Sequence, residues 1–485
     1  MTHHIRQYHL HLDLNGTEAD GLALQSQLAG LCSDSLLPVL ERVFDRYAPP
    51  GVHLVLDRLE IEAGTLSLEH LEHDGPAAVA QAIEKVLREQ AAQLRAMPGL
   101  VTENVGLKTG PQNVEEAFFH FLSTGRLPWA FRLPEGRRLE QAVLGAWAAM
   151  AGSGAIPGRV RELLRRALGA ANVRQRLVWQ FSAAFRERLL ATFWPESQRV
   201  MVAIRTVLGG AGQAATPALS QALTRFETVL WEVVLGHLVG HDTRNAAEIV
   251  AEAWLRLPAP IRQPAALQAV LERHWPGSTK GPATSNLEGE KHPTTTDAKL
   301  KNRLLEQLEP AAENEIEGEE GYYLDNAGLV LLHPFLPRFF EGLGLTENDQ
   351  LLHPERALCL LHFLATGQPS APEHALTLPK LLCAIPLARP VATDLTLTTA
   401  QTDEAEALLR AVVHHWSALR STSPDALRGT FLARAGKLSR HPDNSGDWLL
   451  QVEPMSYDIL LDQLPWGISM IQLPWMPQML RVEWG

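Results

Sequence analysis

Apolar residues fall at Tyr8, Leu10, Leu12 and Leu14, with Gln7, His9, His11 and Asp13 between them, and this two-residue period predicts a half-buried strand. A second alternating run, Val52, Leu54 and Leu56, changes phase at Asp57-Arg58 and continues as Leu59 and Ile61, so a bulge or bend is expected there. Between the two runs Leu36, Val39, Leu40, Val43, Phe44 and Tyr47 recur at helical spacing and stop at Pro49-Pro50-Gly51, a strong terminator. The three segments read as one βαβ-like unit. Asp74 and Pro76 then supply a cap and first turn for a helix carrying Val79, Ile83, Val86, Leu87 and Leu94. Residues 1–98 are therefore expected to form a small α/β module.

From Val114 to Trp275 apolar residues recur three or four apart, interrupted at Gly125, Pro134, Gly152, Pro157, Gly209 and Pro258, which predicts a helical middle domain over 113–275. Residues 276–321 turn to Gly, Pro, Ser, Thr, Lys and Glu, and five glutamates crowd Glu313 to Glu320. So polar a stretch buries little, and a flexible linker with a short helix near Lys299 to Leu308 is expected. Helical patterning returns over 322–485, where Ser423-Pro424-Asp425 starts a helix through Ala426 to Ala435 and Gly436 stops it. The predicted class is mainly α with a small N-terminal α/β unit, a multi-domain helical array. Length agrees, because 485 residues exceed what one hydrophobic core usually organises.

One internal echo stands out. His120-Phe121-Leu122-Ser123-Thr124-Gly125 matches His362-Phe363-Leu364-Ala365-Thr366-Gly367, each closing an apolar helical stretch with a glycine. Either one helix ending is used twice or a common Thr-Gly stop recurs by chance.

The net charge of -12 gives no general attraction to phosphate backbones, which argues against nucleic acid as a partner. Cys32, Cys359 and Cys383 are three widely spread cysteines, too few and odd for a disulfide framework, and they fit a reducing compartment. The N-terminus lacks the apolar stretch and small-residue cleavage site of a secretory signal. Apolar runs such as Met201 to Leu208 and Val229 to Leu235 are too short to span a membrane.

Three groupings could carry chemistry. His9, His11 and Asp13 would share a strand face and could hold a divalent cation, although a solvated face is the simpler reading. Gly210 to Ala215 matches the form of a dinucleotide fingerprint, but Val200 to Leu208 before it reads as well as a helix as a strand. Cys359 and His362 lie three apart on a helix among leucines, where a buried thiol beside a core histidine is the simpler reading than a nucleophile and base. No catalytic or metal site is assigned. The C-terminal aromatics are the segment to single out, with Leu-Pro-Trp at 127–129, 464–466 and 473–475. Trp129, Trp466, Trp475 and Trp484 are candidate interaction anchors, with core packing as the competing role.

Several stretches resemble contractile injection system tape-measure proteins of phage-tail-like particles. At the N-terminus these are His4-Ile5 through Leu12-Asp13-Leu14, Leu36-Leu37-Pro38, and Val55 through Ile61. The C-terminal stretches are more specific: Asn326-Ala327-Gly328-Leu329-Val330-Leu331-Leu332-His333-Pro334-Phe335-Leu336-Pro337, then Ser421 through Phe431, Tyr457 to Leu461, Pro465 to Ser469 and Leu473 to Met476. The middle carries little of the resemblance beyond Thr124-Gly125 to Trp129. The resemblance implies a non-catalytic assembly protein that associates with the inner tube and helps to set its length, without a cofactor. It implies inner-tube, cap or baseplate proteins as partners, synthesis in the bacterial cytoplasm and a place in the tube lumen, in one or several copies. A helical adaptor or chaperone that leaves the finished particle is the alternative. An unbroken helix of this length would run roughly 730 Å, and the many glycines and prolines rule that form out.

Overall fold

A computed structural model describes residues 35–47, 52–56, 59–67, 70–96, 105–133, 136–151, 157–212, 216–240, 244–262, 265–279, 321–392, 395–419, 422–443 and 446–484, with 3, 5, 10–17, 21 and 24. They group into two compact units. The first comprises Met1–Glu116, Leu133–Arg137 and Gln141–Gly152, and the second comprises Ala117–Arg132, Arg138–Glu140 and Ser153–Gly485.

In the first unit helix α1 (Leu37–Tyr47) packs on helix α2 (Leu71–Ala96). The helical spacing places Leu40 and Val43 on one face of α1, where they bury against Ile83 and Leu87 of α2, with Phe44, Tyr47 and Val79 around them. Strands β1 (Val52–Leu56) and β2 (Val105–Thr109) pair antiparallel, from Val52 opposite Thr109 to Leu56 opposite Val105. The expected βαβ order is thus corrected, since β1 pairs with a later strand. Residues 10–17 form no strand, and Leu10, Leu12 and Leu14 stay about 40% exposed. Alternation alone does not hold a strand; a neighbouring ladder must take up its backbone groups. Helix α2 also starts earlier than its Asp74-Pro76 signal, and Pro76 lies within it at the cost of one intrahelical hydrogen bond. Residues 6–9 and the bend at Asp57-Arg58 lie outside the described residues.

Helices α3 (Gly110–Thr124) and α4 (Leu139–Ala151) lead into the second unit. There α5 (Pro157–Ala167), α6 (Ala171–Gln180), α7 (Ala183–Phe193), α8 (Pro195–Gly212), α9 (Pro217–His237), α10 (Ala246–Arg256), α11 (Ala259–Arg262) and α12 (Ala265–His274) follow. Pro157 opens α5, whereas Gly209 interrupts nothing because α8 runs through it. Helix α9 is the hub. It buries Phe226, Leu230, Trp231, Val233 and Val234 and packs against α6, α8, α10 and α12. Local chemistry sets the ends: the Thr216 hydroxyl accepts from the Leu219 N–H before α9, and Asn245 with Glu248 forms a capping box before α10. The expected helix near Lys299 to Leu308 lies outside the described residues.

From Tyr322 the chain is mixed rather than purely helical. Strand β3 (Tyr322–Leu324) leads into a 3-10 helix (Ala327–Leu332), α13 (Leu336–Gly342), the hairpin β4 (Thr346–Glu347) and β5 (Gln350–Leu351), and α14 (Pro354–Thr366). Helices α15 (Thr377–Leu382), α16 (Thr399–His415) and α17 (Pro424–Leu427) come next, the last running into a wide turn at Arg428–Leu432. Strands β6 (Gly436–Arg440), β7 (Trp448–Val452), β8 (Met470–Ile471) and β9 (Leu480–Trp484) then join β3 in a sheet of order β3-β6-β7-β9-β8, antiparallel except between β7 and β9. Ser423 caps α17 as expected, accepting from the Ala426 N–H at 3.2 Å, but Gly436 opens a strand rather than closing a helix. This sheet escapes a reading by period because its central strand, Trp448-Leu449-Leu450-Gln451-Val452, is buried at four of five positions and does not alternate.

Among the described residues, the core of this block is built from side chains of residues 322–484. Among the described residues no helix is long and apolar enough to cross a membrane. Among the described glycines the tightest approach is at Gly328, where an added Cβ would lie 1.7 Å from the Phe431 carbonyl oxygen. Gly328→Ala should therefore destabilise the C-terminal block by about 1–3 kcal/mol, as overpacking does. Gly342→Ala, where a methyl meets open space, should leave the urea midpoint within error of the parent.

Candidate functional site

The C-terminal stretches that carry the family resemblance converge in one core. Asn326 donates from Nδ2 to the Ala375 carbonyl at 3.0 Å, Ala327 N–H donates to Arg434 O at 2.9 Å, and Gly328 lies against the wide turn at Phe431. Trp466 donates its indole N–H to Leu331 O at 3.1 Å and meets Phe335 edge-on. Trp475 donates to Leu382 O at 2.8 Å and lies over Phe340. Arg434 grips Asp458 through both Nη atoms, at 2.7 and 2.8 Å, and the same carboxylate accepts from Trp484 Nε1 at 3.2 Å. Trp466, Trp475 and Trp484 are each half-buried against this core. Trp129 is half-buried too, with its ring 6.3 Å from that of Tyr323.

Sequence reasoning missed a buried charged cluster in the second unit. Arg176 on α6 is fully buried and donates from Nε and Nη2 to the two carboxylate oxygens of Glu373, at 2.9 and 3.1 Å. Its remaining donors reach Leu122 O at 2.6 Å and Ala388 O at 2.8 Å. Lys380 Nζ completes the cluster, donating to Glu373 Oε1 at 2.7 Å and to the carbonyls of Leu387 and Arg389. Burial pushes the Lys380 ammonium below its ordinary range, against the pull of Glu373. Gln180 adds two bonds, accepting from Glu373 N–H at 3.1 Å and donating to Val391 O at 2.6 Å. Only a glycine fits beside the carboxylate: Gly125 has φ +78°, and a Cβ there would sit 2.4 Å from Glu373 Oε1. The sole sequence signal was the Gly125 stop, because Arg176 and Glu373 are 197 residues apart.

The internal echo has one geometry at both sites. Gly125 N–H donates to Phe121 O and Gly367 N–H to Phe363 O, both at 2.7 Å and both with positive φ. Thr124 and Thr366 each return the hydroxyl to the carbonyl four residues back. A buried arginine then takes the carbonyl of the shared leucine, Arg176 at Leu122 and Arg428 at Leu364. The second arginine is held by Glu406 and Asp425.

The remaining candidates do not assemble a reactive centre. Helix α8 spans Val200 to Gly212, so no strand precedes the Gly210 turn as a dinucleotide fold requires. Cys359 and His362 are both buried inside α14, and burial pushes the Cys383 thiol well above its ordinary value. His11 and Asp13 stand in solvent 3.5 Å apart, His9 lies outside the described residues, and among the described residues no three ligand side chains cluster as a metal would need.

Residues 2–484 match the contractile injection system tape measure protein family, and the chain belongs to that family. It is a structural protein with a role in tube length. No curated protein and no solved structure matches it. The match runs through the middle helices, where the sequence showed little resemblance.

Three histidines near this core are held neutral by burial. His374 is pushed down to about 4, by burial first and then by His362, against the opposing pull of Asp325. His362 and His333 are also lowered, by burial. The unfolded chain takes up these protons below about pH 6.5 while the folded chain does not, so their stabilisation is complete above that pH and is lost as pH falls towards 4. His374 alone should contribute a loss on the order of 3 kcal/mol across that window. Urea midpoints at pH 7 and 4.5 should differ accordingly, and His374→Gln should flatten the dependence.

Proposed function

We propose that this chain acts without catalysis as a folded tape-measure subunit at the inner tube, in contact with inner-tube, cap or baseplate proteins. The observation that carries this reading is that the C-terminal family motifs build packing: Trp466, Trp475 and Gly328 are seated in the core, and Asp458 of the same motifs is gripped by Arg434. The groups that catalysis would draw on, Cys359, His362, Glu373 and Lys380, are buried. The partly exposed faces of Trp129, Trp466, Trp475 and Trp484 offer a partner aromatic surface at low entropic cost.

A 485-residue chain that folds back on itself cannot measure length as one rigid helix. Length then comes from several copies or from folded bodies strung along the tube, with the polar stretch at 276–321 as the spacer between the middle helices and the C-terminal block. Assembly takes place in the bacterial cytoplasm, and the chain ends in the tube lumen.

Electron microscopy of particles tests this. Deleting the gene should leave tubes of uncontrolled length, and adding or removing residues within 276–321 should shift tube length in the same direction. Unchanged length with fewer particles would instead indicate a nucleating or chaperone role, and normal particles after deletion would exclude an assembly role.

A further inference from the structure

We infer that the buried Arg176–Glu373–Lys380 cluster is a latch, at which the middle helices and the C-terminal block of the second unit part as two intact bodies. The inference deepens the tape-measure reading and rests on it for its purpose, since parting would lengthen the chain without unfolding it.

Two observations carry the latch. Among the described residues, the apolar cluster of the C-terminal core lies within 322–484 and includes no side chain of α5–α12. At the joint the bridging bonds are polar, Arg176 to Glu373, Arg176 to Ala388 O, and Gln180 to Glu373 N–H and Val391 O, with ring contacts of Phe121 on His374, Trp129 on Tyr323 and Arg126 over Tyr322 around them. At the centre two cations share one carboxylate out of reach of water, with exposures of 0% for Arg176 and Glu373 and 3% for Lys380.

Such a joint differs from an apolar one in how it opens. Parting two apolar faces puts hydrocarbon into water, whereas parting this one opens the Arg176 guanidinium and the Glu373 carboxylate to water, which offsets the loss of their mutual bonds, while Lys380 stays paired with Glu373 on the C-terminal side. Removing one partner while the joint stays closed is the costly case, because it strands a buried charge. The joint is therefore tight when complete and opens when any one member is disturbed. Gly125 makes it tighter, as any side chain there would push on Glu373.

The test uses the purified full-length chain and hydrogen exchange read by mass spectrometry. In Glu373→Gln, peptides covering 120–126, 174–181 and 372–391 should exchange at least tenfold faster, while α9, α10 and strands β6, β7 and β9 keep the parent rates. The radius of gyration from X-ray scattering should rise together with this change. Faster exchange spread evenly through both cores, or no change at the joint, would overturn the latch. Should Glu373→Gln fail to fold, Gly125→Ala keeps all three charges and pushes a methyl into the joint, and it should give the same local pattern. Since tube length is read on particles and the latch on the isolated chain, either reading can fail without the other.

Discussion

The carboxylate of Glu373 is gripped by Arg176 on one side and Lys380 on the other, with no access to water. A charge in that position must be neutralised and its lone pairs filled, and the surroundings follow from this requirement. Helix α6 must bring Arg176 beneath the end of α3, because the guanidinium also takes the Leu122 carbonyl. The turn after α3 must be a glycine, since a side chain would occupy the space of the carboxylate. The loop after α15 must curl so that the carbonyls of Leu387, Ala388 and Arg389 face the two cations. One buried anion thus sets the conformation of segments from three distant parts of the chain.

The C-terminal core is organised by aromatic groups with a polar handle. Trp416 is fully buried and Trp466 and Trp475 half-buried, and each gives its single N–H to a backbone carbonyl, at Leu460, Leu331 and Leu382. Those carbonyls lie near helix ends or in 3-10 segments, where the regular ladder leaves acceptors unfilled. Irregular backbone can in this way be buried with its acceptors filled, as in the 3-10 segment Ala327–Leu332, where all six residues are buried.

Much of the helical scaffold was legible from residue spacing. Leu40 and Val43 of α1, Ile83 and Leu87 of α2, and the run through α9 bury the faces that a 3.6-residue period assigns to them. The alternating segment at Leu10 to Leu14 was misread, because alternation reports a side-chain preference while a strand needs a neighbour to bond with. Strand β7 was missed for the opposite reason: it is buried on both faces and shows no period. The echo at Gly125 and Gly367 was visible as a repeated string, yet its content, an arginine seated on the leucine carbonyl, was not.

The sequence by itself determined that the chain is mainly helical, that it is acidic overall, and that its terminal motifs point to contractile injection system tape-measure proteins. These are properties of local spacing, composition and contiguous strings. Only the tertiary structure decided that Trp466 and Trp475 bond inward to the core, that β7 and β9 run parallel, and that Arg176 meets Glu373 across 197 residues. The physical reason is that a charged side chain carries no local mark of its partner. Whether an arginine lies in solvent or at the centre of a joint depends on which distant carboxylate the packing of helices brings within reach.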